Sequence, residues 1–445
     1  MKVILISFAL LFSFYAQAQY GTELVVDTTI YGSYVSDIHI KDMNNDGFQD
    51  LVISNKGGNG RVTIYYNDSF GAFGKEIIIS TNKKQINAIG IGDFDNKGLK
   101  DVIAITKLGK ITRYLQTTLG KFTEAEIFSG IFFPLDVITT DLNKDGYMDF
   151  VTLGDLSILA FTNDSTGNFD TMDVASFTEY YSFCVGDLNA DGYPDLLAGS
   201  GSFFTFINDG KGVLVRDSIN KSLRTPPQIH ECELADMDGD KDLDVVVYYT
   251  NAYDKVDWYS NNGSGKLTKE TTITSSANNL FDINIGDIDL DKKPDLCFSY
   301  DQEEELVWIK NKGNGIFSAE KSINPKAIYA TLGELGDFDN DGDLDLCHNG
   351  KDGLYYYINS SAVLSIEESN EINVSWYPNP SNGSLFIESS TNIEIRIYNM
   401  QGTMVYGKDL LKGTQQIEHD LPKGNYIVEI LNSRRSKRDK LIILH

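Results

Sequence analysis

A short acidic segment recurs seven times along the chain, and this repetition constrains the fold more than any other feature of the sequence. The third copy, DLNKDGYMDFV, begins at Asp141 and has oxygen-bearing side chains at its positions 1, 3, 5 and 9. The other copies are DMNNDGFQDLV from Asp42, DFDNKGLKDVI from Asp93, DLNADGYPDLL from Asp187, DMDGDKDLDVV from Asp236, DIDLDKKPDLC from Asp287 and DFDNDGDLDLC from Asp337. Successive copies begin 51, 48, 46, 49, 51 and 50 residues apart. Such a period predicts one supersecondary unit per repeat, and β units of this length build propellers.

The carboxylates of each segment repel one another unless a cation lies between them. The EF-hand calcium loop has a similar start, but it ends with a bidentate Glu at position 12. No copy supplies that Glu, because position 12 is Ile, Ala, Thr, Ala, Val, Phe or His. The flanking residues are short and β-branched, as in strands and not in amphipathic helices. We therefore predict a calcium loop at the tip of a β-hairpin.

We expect calcium at six of the seven loops, held by the side chains at positions 1, 3, 5 and 9 and by the backbone carbonyl at position 7. Hard oxygen ligands without nitrogen or sulfur favour calcium over zinc or copper. The predicted ligands are Asp42, Asn44, Asp46, Phe48, Asp50, Asp141, Asn143, Asp145, Tyr147, Asp149, Asp187, Asn189, Asp191, Tyr193, Asp195, Asp236, Asp238, Asp240, Asp242, Asp244, Asp287, Asp289, Asp291, Lys293, Asp295, Asp337, Asp339, Asp341, Asp343 and Asp345.

Lysines change three of the loops. In the second loop Lys97 occupies position 5 and can neutralise the surrounding acids, so we predict that this loop holds no metal. Lys241 and Lys292 replace the glycine at position 6 of the fifth and sixth loops, which makes a left-handed turn costlier. Both of these loops keep their four ligand acids and stay predicted calcium sites.

A strand that ends in an Asn/Gly-rich turn follows each loop start by about 25 residues, as in YYNDSFGAF and FTNDSTGNF. Together the two signals resemble the FG-GAP/VCBS repeat family, which includes the integrin α-subunit propeller, over roughly residues 22–360. The resemblance implies a seven-bladed β-propeller in which each calcium loop joins the innermost strand of a blade to the next strand. The seventh repeat lacks an outer strand, and we predict that residues 22–30, TELVVDTTI, complete that blade.

The two ends of the chain indicate export. Residues 1–18 have the pattern of a signal peptide, so the propeller is expected at 19–362, followed by a linker at 363–373. Residues 374–445 predict a small Ig-like β-sandwich. Their motifs resemble the type A C-terminal sorting domain of the type IX secretion system of Bacteroidota: Tyr377-Pro378-Asn379-Pro380, Gly383, Tyr398, Gly402, Gly424, Tyr426 and Lys440. The resemblance implies an all-β, secreted or surface-attached protein that interacts with that secretion machinery.

Composition excludes some classes of partner. The net charge is −26, and 24 of the 64 acids stand at the ligand positions of the loops, so nucleic acid is not an expected partner. No other segment is apolar enough to cross a membrane, and we expect a monomer. The four cysteines lie in or beside predicted strands, where we interpret them as small buried residues, with a disulfide as the alternative.

The sequence leaves two functions open. The first is non-catalytic binding of a glycan or a surface protein through aromatic loops on the face opposite the calcium loops. These loops carry Tyr31, Tyr34, Phe132, Phe133, Tyr180, Tyr181 and Tyr329. The second is a calcium-dependent polysaccharide-degrading enzyme, lyase or glycosidase, which needs acids that converge in one pocket. Glu233 and Glu334, each three residues before a loop, are the candidates for such acids on inner strands.

Overall fold

The structure is a computed structural model of the 445-residue chain. It describes residues 20–443 except 22, 30–34, 58–59, 69–70, 81–84, 156, 177–181, 200–201, 218–219, 221–228, 251–253, 276, 278–279, 301–304, 325–329, 331–332, 351–352, 361–373, 378–380, 382, 390–391, 400–403 and 432–435. The predicted signal peptide and five of the seven loop aromatics therefore lie outside the described residues. The chain divides into two compact units, residues 1–365 and 366–445, which are described separately.

Seven four-stranded antiparallel sheets make up the described part of the first unit, and we number these blades in the order of their loops. Blades 1 to 3 consist of β2 (Val35–Lys41), β3 (Asp50–Asn55), β4 (Arg61–Tyr65), β5 (Ile77–Ile78); β6 (Ile86–Gly92), β7 (Asp101–Thr106), β8 (Lys110–Thr118), β9 (Lys121–Ser129); and β10 (Pro134–Thr140), β11 (Asp149–Gly154), β12 (Ser157–Asn163), β13 (Phe169–Ser176). Blades 4 to 6 consist of β14 (Ser182–Gly186), β15 (Asp195–Gly199), β16 (Phe203–Asn208), β17 (Leu214–Arg216); β18 (Ile229–Ala235), β19 (Asp244–Tyr249), β20 (Lys255–Asn261), β21 (Leu267–Thr274); and β22 (Leu280–Gly286), β23 (Asp295–Tyr300), β24 (Glu305–Ile309), β25 (Lys321–Asn324). Blade 7 consists of β26 (Gly333–Gly336), β27 (Asp345–Gly350), β28 (Gly353–Tyr357) and β1 (Leu24–Asp27).

The strand pairing in blade 7 confirms that residues from the start of the chain supply its outer strand. Strand β1 pairs antiparallel with β28, with Leu24 opposite Tyr356 and Val25 opposite Tyr355. The side chain of Glu23 also accepts hydrogen bonds from Tyr357 Oη, at 2.5 Å, and from Asn324 Nδ2, at 3.1 Å. The two ends of the propeller sequence are therefore joined within one sheet.

The second strand of each blade is buried on both faces, because it lies between two neighbouring blades. In β11, Phe150 packs with apolar residues of blade 2, whereas the next residue, Val151, packs with apolar residues of blade 4. This explains why these strands are continuous apolar runs without a polar alternation. The small residues before the loops reflect the same close packing. A Cβ added to Gly186 in blade 4 would lie 2.7 Å from Cδ1 of Leu243 in blade 5.

The second unit contains two antiparallel sheets, as expected for an Ig-like domain. Its strands are β29 (Val374–Tyr377), β30 (Ser384–Ser389), β31 (Ile393–Tyr398), β32 (Met404–Leu410), β33 (Gly413–Glu418), β34 (Gly424–Leu431) and β35 (Ser436–Ile443). They form the sheets β29-β30-β33 and β32-β31-β34-β35 around one apolar core. Tyr426 Oη donates a hydrogen bond to the carbonyl of Pro422 at 2.7 Å and fixes the chain where it enters β34. No described segment forms a helix with the length and hydropathy needed to span a membrane.

Candidate metal centres

Each acidic segment forms the loop between the first two strands of a blade, as predicted. In the third loop, the carboxylate of Asp141 accepts the backbone N–H groups of Asp145 and Gly146 at 3.2 and 2.9 Å. The Asn143 side-chain oxygen accepts the Asp145 N–H at 3.0 Å, and Asp145 in turn accepts that of Tyr147 at 2.9 Å. The side chains at positions 1, 3 and 5 are therefore held inside the loop by its own backbone. The carbonyl at position 7 stays a prediction.

Two positions of every loop adopt a left-handed backbone conformation. Position 6 does so in all seven copies, including Lys241 at φ 80° and Lys292 at φ 68°, where a side chain makes the conformation costly. Position 4 is left-handed as well, which the sequence analysis did not anticipate, because this position is occupied by Asn, Lys, Ala, Gly or Leu. Leu290 adopts this conformation, at φ 61°, where the following N–H groups of Asp291 and Lys292 donate to the Asp287 carboxylate at 2.9 and 2.8 Å.

The Asp at position 9 has a structural role in addition to its predicted role as a ligand. Asp149 is fully buried, and its two oxygens accept the backbone N–H groups of Leu142 at 2.9 Å and Asn163 at 2.6 Å. It thereby ties the start of the loop to the third strand of the blade. Burial, together with the carboxylates of Asp145 and Asp141, raises the pKa of Asp149 to about 6, although the hydrogen bonds from Asn163 and Leu142 lower it. A bound cation would stabilise the ionised form of this buried carboxylate.

In four loops, three carboxylates place oxygen atoms within 4.8 Å of one another. The groups are Asp93, Asp95 and Asp101 in blade 2; Asp236, Asp238 and Asp244 in blade 5; Asp287, Asp289 and Asp291 in blade 6; and Asp337, Asp339 and Asp345 in blade 7. Blades 1, 3 and 4 have Asn at position 3, which supplies an amide oxygen instead of a carboxylate. These groups omit position 5 in blades 5 and 7 and position 9 in blade 6. The full ligand sets and their occupancy by calcium stay predictions.

Lysines contact two of these groups in different ways. Lys97 Nζ lies 2.6 Å from Asp95 Oδ2, but its side chain is 73% exposed, so it lies at the rim of the second loop and not within it. Lys310 is only 19% exposed and contacts both Asp289 and, at 2.9 Å, Asp291 in the sixth loop. The sequence analysis missed Lys310, because it follows the third strand of the blade directly and is far from the loop in sequence.

A central cavity of about 690 Å³ is lined by the inner strands. Its carboxylic acids come from five blades: Asp37, Asp136, Glu231, Glu233, Asp282 and Glu334. Two of them, Glu233 and Glu334, are the acids that the sequence analysis selected, and the structure confirms that they converge with others. Some acids also link blades, since Asp37 accepts the N–H of Ile89 at 2.8 Å and Asp282 accepts that of Gly333 at 2.6 Å.

Burial and mutual repulsion perturb the titration of the cavity. Burial is the largest cause that raises the pKa of Glu334, to about 7. Burial is the largest single influence on His39 and would lower its pKa, but Asp37, 3.3 Å away, together with Glu334 and Asp136 raises this pKa to about 9. Burial also raises the pKa of Glu233 well above its usual range. The cavity therefore combines carboxyl groups of raised pKa with an imidazole of raised pKa.

Sequence comparisons agree with this architecture. An FG-GAP-like repeat matches residues 42–104, 93–152, 141–198, 187–247, 236–298 and 287–348, which together span more than half of the chain. The chain belongs to the FG-GAP-like repeat family. A secretion system C-terminal sorting domain matches residues 375–444 of this FG-GAP repeat protein. The protein is therefore secreted or located at the cell surface, and its C-terminal domain interacts with the type IX secretion machinery.

Structural comparisons show the fold alone. BBS1N in complex with ARL6DN is 12% identical, with a TM-score of 0.53 over 77% of this chain and 96% of that one. A second structure of that complex is 13% identical, with a TM-score of 0.52 over the same shares of the two chains. An Agrocybe aegerita lectin that recognises non-reducing terminal N-acetylglucosamine is 18% identical, with a TM-score of 0.49 over 66% of this chain and 81% of that one. The comparison with curated protein sequences returns no match.

The face opposite the loops of the FG-GAP repeat protein carries an exposed aromatic pair. Phe132 and Phe133 are 54% and 53% exposed, and their rings meet edge to face with centroids 4.7 Å apart. Phe133 has a φ of 43°, a costly conformation for a bulky residue. The N–H of Asp155 holds this turn by donating to both Phe carbonyls, at 2.9 and 3.2 Å. The pair is therefore presented to solvent on a fixed turn.

Proposed function

We propose that this FG-GAP repeat protein is a calcium-binding propeller that acts as a non-catalytic binding module for a glycan or a surface protein. The observation that carries the calcium assignment is the recurrence of one hydrogen-bonded carboxylate loop in seven blades. Among the loops proposed to bind calcium, those of blades 5 and 7 bring three carboxylates within 4.8 Å of one another. The donors are hard oxygens, which suit calcium. In blades 1, 3, 4, 5 and 7, the side chains at positions 1, 3, 5 and 9 and the carbonyl at position 7 would hold the ion. The sixth loop predicted from the sequence, in blade 6, already contacts the ammonium group of Lys310.

Calcium would act on stability and not on chemistry. An ion held by the loop offsets the repulsion among its acids and the burial of Asp149 or its equivalents. At ten times its dissociation constant, each site would add about 1.4 kcal/mol to the free energy of unfolding. Isothermal titration calorimetry on chelator-stripped protein should find several sites, and chelation should lower the melting temperature. Absence of calcium binding would refute the assignment.

The second loop provides a matched variant. Its predicted deficiency is the lysine at position 5, so Lys97→Asp should add one calcium ion per chain by supplying the missing carboxylate. Lys100→Asp, which changes the same charge beside the ligand Asp101, is the control and should leave the stoichiometry unchanged. An equal rise in both variants would show that net charge, and not the ligand at position 5, governs binding.

The Phe132–Phe133 pair supports the binding role. Exposed, fixed aromatic rings supply stacking area for a sugar or an anchor for a protein partner. We therefore expect a glycan-array screen or a cell-surface pull-down with the secreted protein to identify a ligand whose affinity falls at least tenfold in Phe132→Ala. Leu119→Ala is the control, since Leu119 is 57% exposed on the hairpin at the calcium-loop face. Equal binding by Phe132→Ala and the parent protein would exclude this pair as the contact.

The central cavity favours one second candidate, a polysaccharide-degrading enzyme. Acids with raised pKa values beside His39 and Lys41 are the groups that acid–base catalysis requires. Incubation with a panel of acidic and neutral polysaccharides, followed by measurement of new reducing ends, tests this candidate. Activity that disappears in Glu233→Gln and Glu334→Gln would establish it in place of non-catalytic binding.

A further inference from the structure

We propose that Lys310 is a built-in cation that closes the loop of blade 6 to calcium. Its ammonium group bridges the carboxylates at positions 3 and 5 of that loop, Asp289 and Asp291. A calcium ion ligated by the same two carboxylates would lie 2.3–2.6 Å from their oxygens, in the space that the ammonium nitrogen fills. Lysine and calcium therefore exclude each other. This inference rests on the proposed calcium function of the other loops.

Burial shows that the loop requires a cation. Asp289 is fully buried, and its Oδ1 has no hydrogen-bond partner among the described residues. The equivalent residue of blade 5, Asp238, is exposed and is solvated by water. A buried carboxylate without a counter-charge is strongly unfavourable, so Lys310 supplies in blade 6 what a metal ion would supply elsewhere.

The charge that lysines bring to this loop also equals that of a calcium ion. A second lysine, Lys293 at position 7, lies with its Nζ 3.0 Å from Asp291 Oδ2. Two ammonium groups bring the same total charge as one calcium ion. The arrangement is specific to blade 6, because the residue at the position of Lys310 is uncharged in the other blades: Tyr66, Leu115, Thr162, Ile207, Ser260 and Ile358. The expected number of calcium sites is therefore five and not the six predicted from the sequence.

The test compares the calcium stoichiometry of the full chain with that of Lys310→Met. Methionine keeps the length of the side chain and removes its charge, so one additional calcium ion should bind. Lys312→Met, at an exposed position two residues away, is the control and should bind as many ions as the parent. In chelator, Lys310→Met should melt below the parent protein, and excess calcium should restore its melting temperature.

The outcomes separate this inference from the proposed function. If the parent binds calcium and Lys310→Met binds no additional ion, the inference is wrong and the proposed function stands. If the parent binds none and Lys310→Met binds one, Lys310 is the block and the other loops do not hold calcium. Absence of binding by both proteins overturns both statements.

A separate observation concerns two cysteines of adjacent blades, and we infer that they form a disulfide in the exported protein. Cys184 of β14 and Cys232 of β18 are buried thiols in this structure, with their sulfur atoms 3.0 Å apart. Cys184 also lines the central cavity. The two thiols would lose two protons and two electrons to form the S–S bond, and the disulfide of a thiol–disulfide oxidant would be reduced to two thiols.

Alkylation of the denatured secreted protein, before and after reduction, tests this pairing. Two thiols should react before reduction and four after it, since Cys297 and Cys347 are buried in different core clusters. Peptide mass spectrometry should locate the bond between Cys184 and Cys232, and Cys184→Ser should abolish it. Four reactive thiols before reduction, or a bond between another pair, would overturn the inference.

Discussion

The side-chain amide of Asn163 donates a hydrogen bond to the backbone carbonyl of Phe94, 2.8 Å away, and joins blade 3 to the acidic loop of blade 2. Its backbone N–H also holds Asp149 of its own loop. Equivalent amide links join Asn67 to Phe338, Gln116 to Met43, Asn208 to Leu142, Asn261 to Leu188, Asn311 to Met237 and Asn359 to Ile288. One buried amide per blade thus couples each loop to the next blade.

Asn163→Ala should therefore destabilise the propeller, because this side chain forms hydrogen bonds in blades 2 and 3. The carbonyls of Phe94 and Met148 would lose their buried donor, at a cost of about 1–3 kcal/mol. Urea unfolding followed by fluorescence measures the change. Asn168→Ala, on the exposed turn of the same hairpin, is the control and should change stability by less than about 0.5 kcal/mol. Equal effects of the two variants would contradict the link.

Removal of residues 20–27 should destabilise the protein more strongly, because β28 would become an exposed edge. The deletion also removes Asp27, which accepts a hydrogen bond from Tyr65 Oη at 2.7 Å, and Val26, which packs on the core of blades 1 and 7. A loss of several kcal/mol in the free energy of unfolding is expected. An unchanged melting curve would show that this strand adds nothing to stability.

Stability should fall as the pH rises from about 5 to 9. Glu334 has a pKa of about 7 in the folded protein and 4.5 as its ordinary value, so the folded state retains a proton that the unfolded state has lost. His39 acts in the same direction, since its pKa of about 9 exceeds its ordinary 6.5. Urea unfolding in chelator at three pH values measures the effect. Glu334→Gln should flatten the slope between pH 5 and 7, and an unaltered slope would exclude Glu334 as a cause.

A protein that ends at residue 362 should fold and retain whatever ligand binding the full chain has. The propeller core consists of clusters formed within residues 20–358, and the sorting domain has a separate core. Circular dichroism, the melting temperature and the glycan or surface-protein assay would compare the two lengths. Loss of cooperative unfolding in the shorter protein would refute the boundary at 362.

The sequence by itself determined the local units. Acidic loops, strands and turns were readable because each depends on hydrogen bonds within a few residues, such as those from Asp145 and Gly146 to Asp141, and because the unit repeats seven times. The repetition also indicated the propeller, and the unpaired seventh repeat indicated where β1 would lie. The left-handed backbone conformation at position 4 of the loops could not be predicted from the sequence, because different residue types occupy this position.

Only the tertiary structure decided which distant groups meet. Lys310 is 21 residues from Asp289, and the cavity acids lie on five separate blades, so their contacts depend on how the strands stack and not on local sequence. The same holds for Cys184 and Cys232, which are 48 residues, or about one repeat, apart in sequence. The fold places Lys310 beside the buried carboxylate of Asp289, where it serves as the counter-ion. A buried charge without such a partner is strongly destabilising.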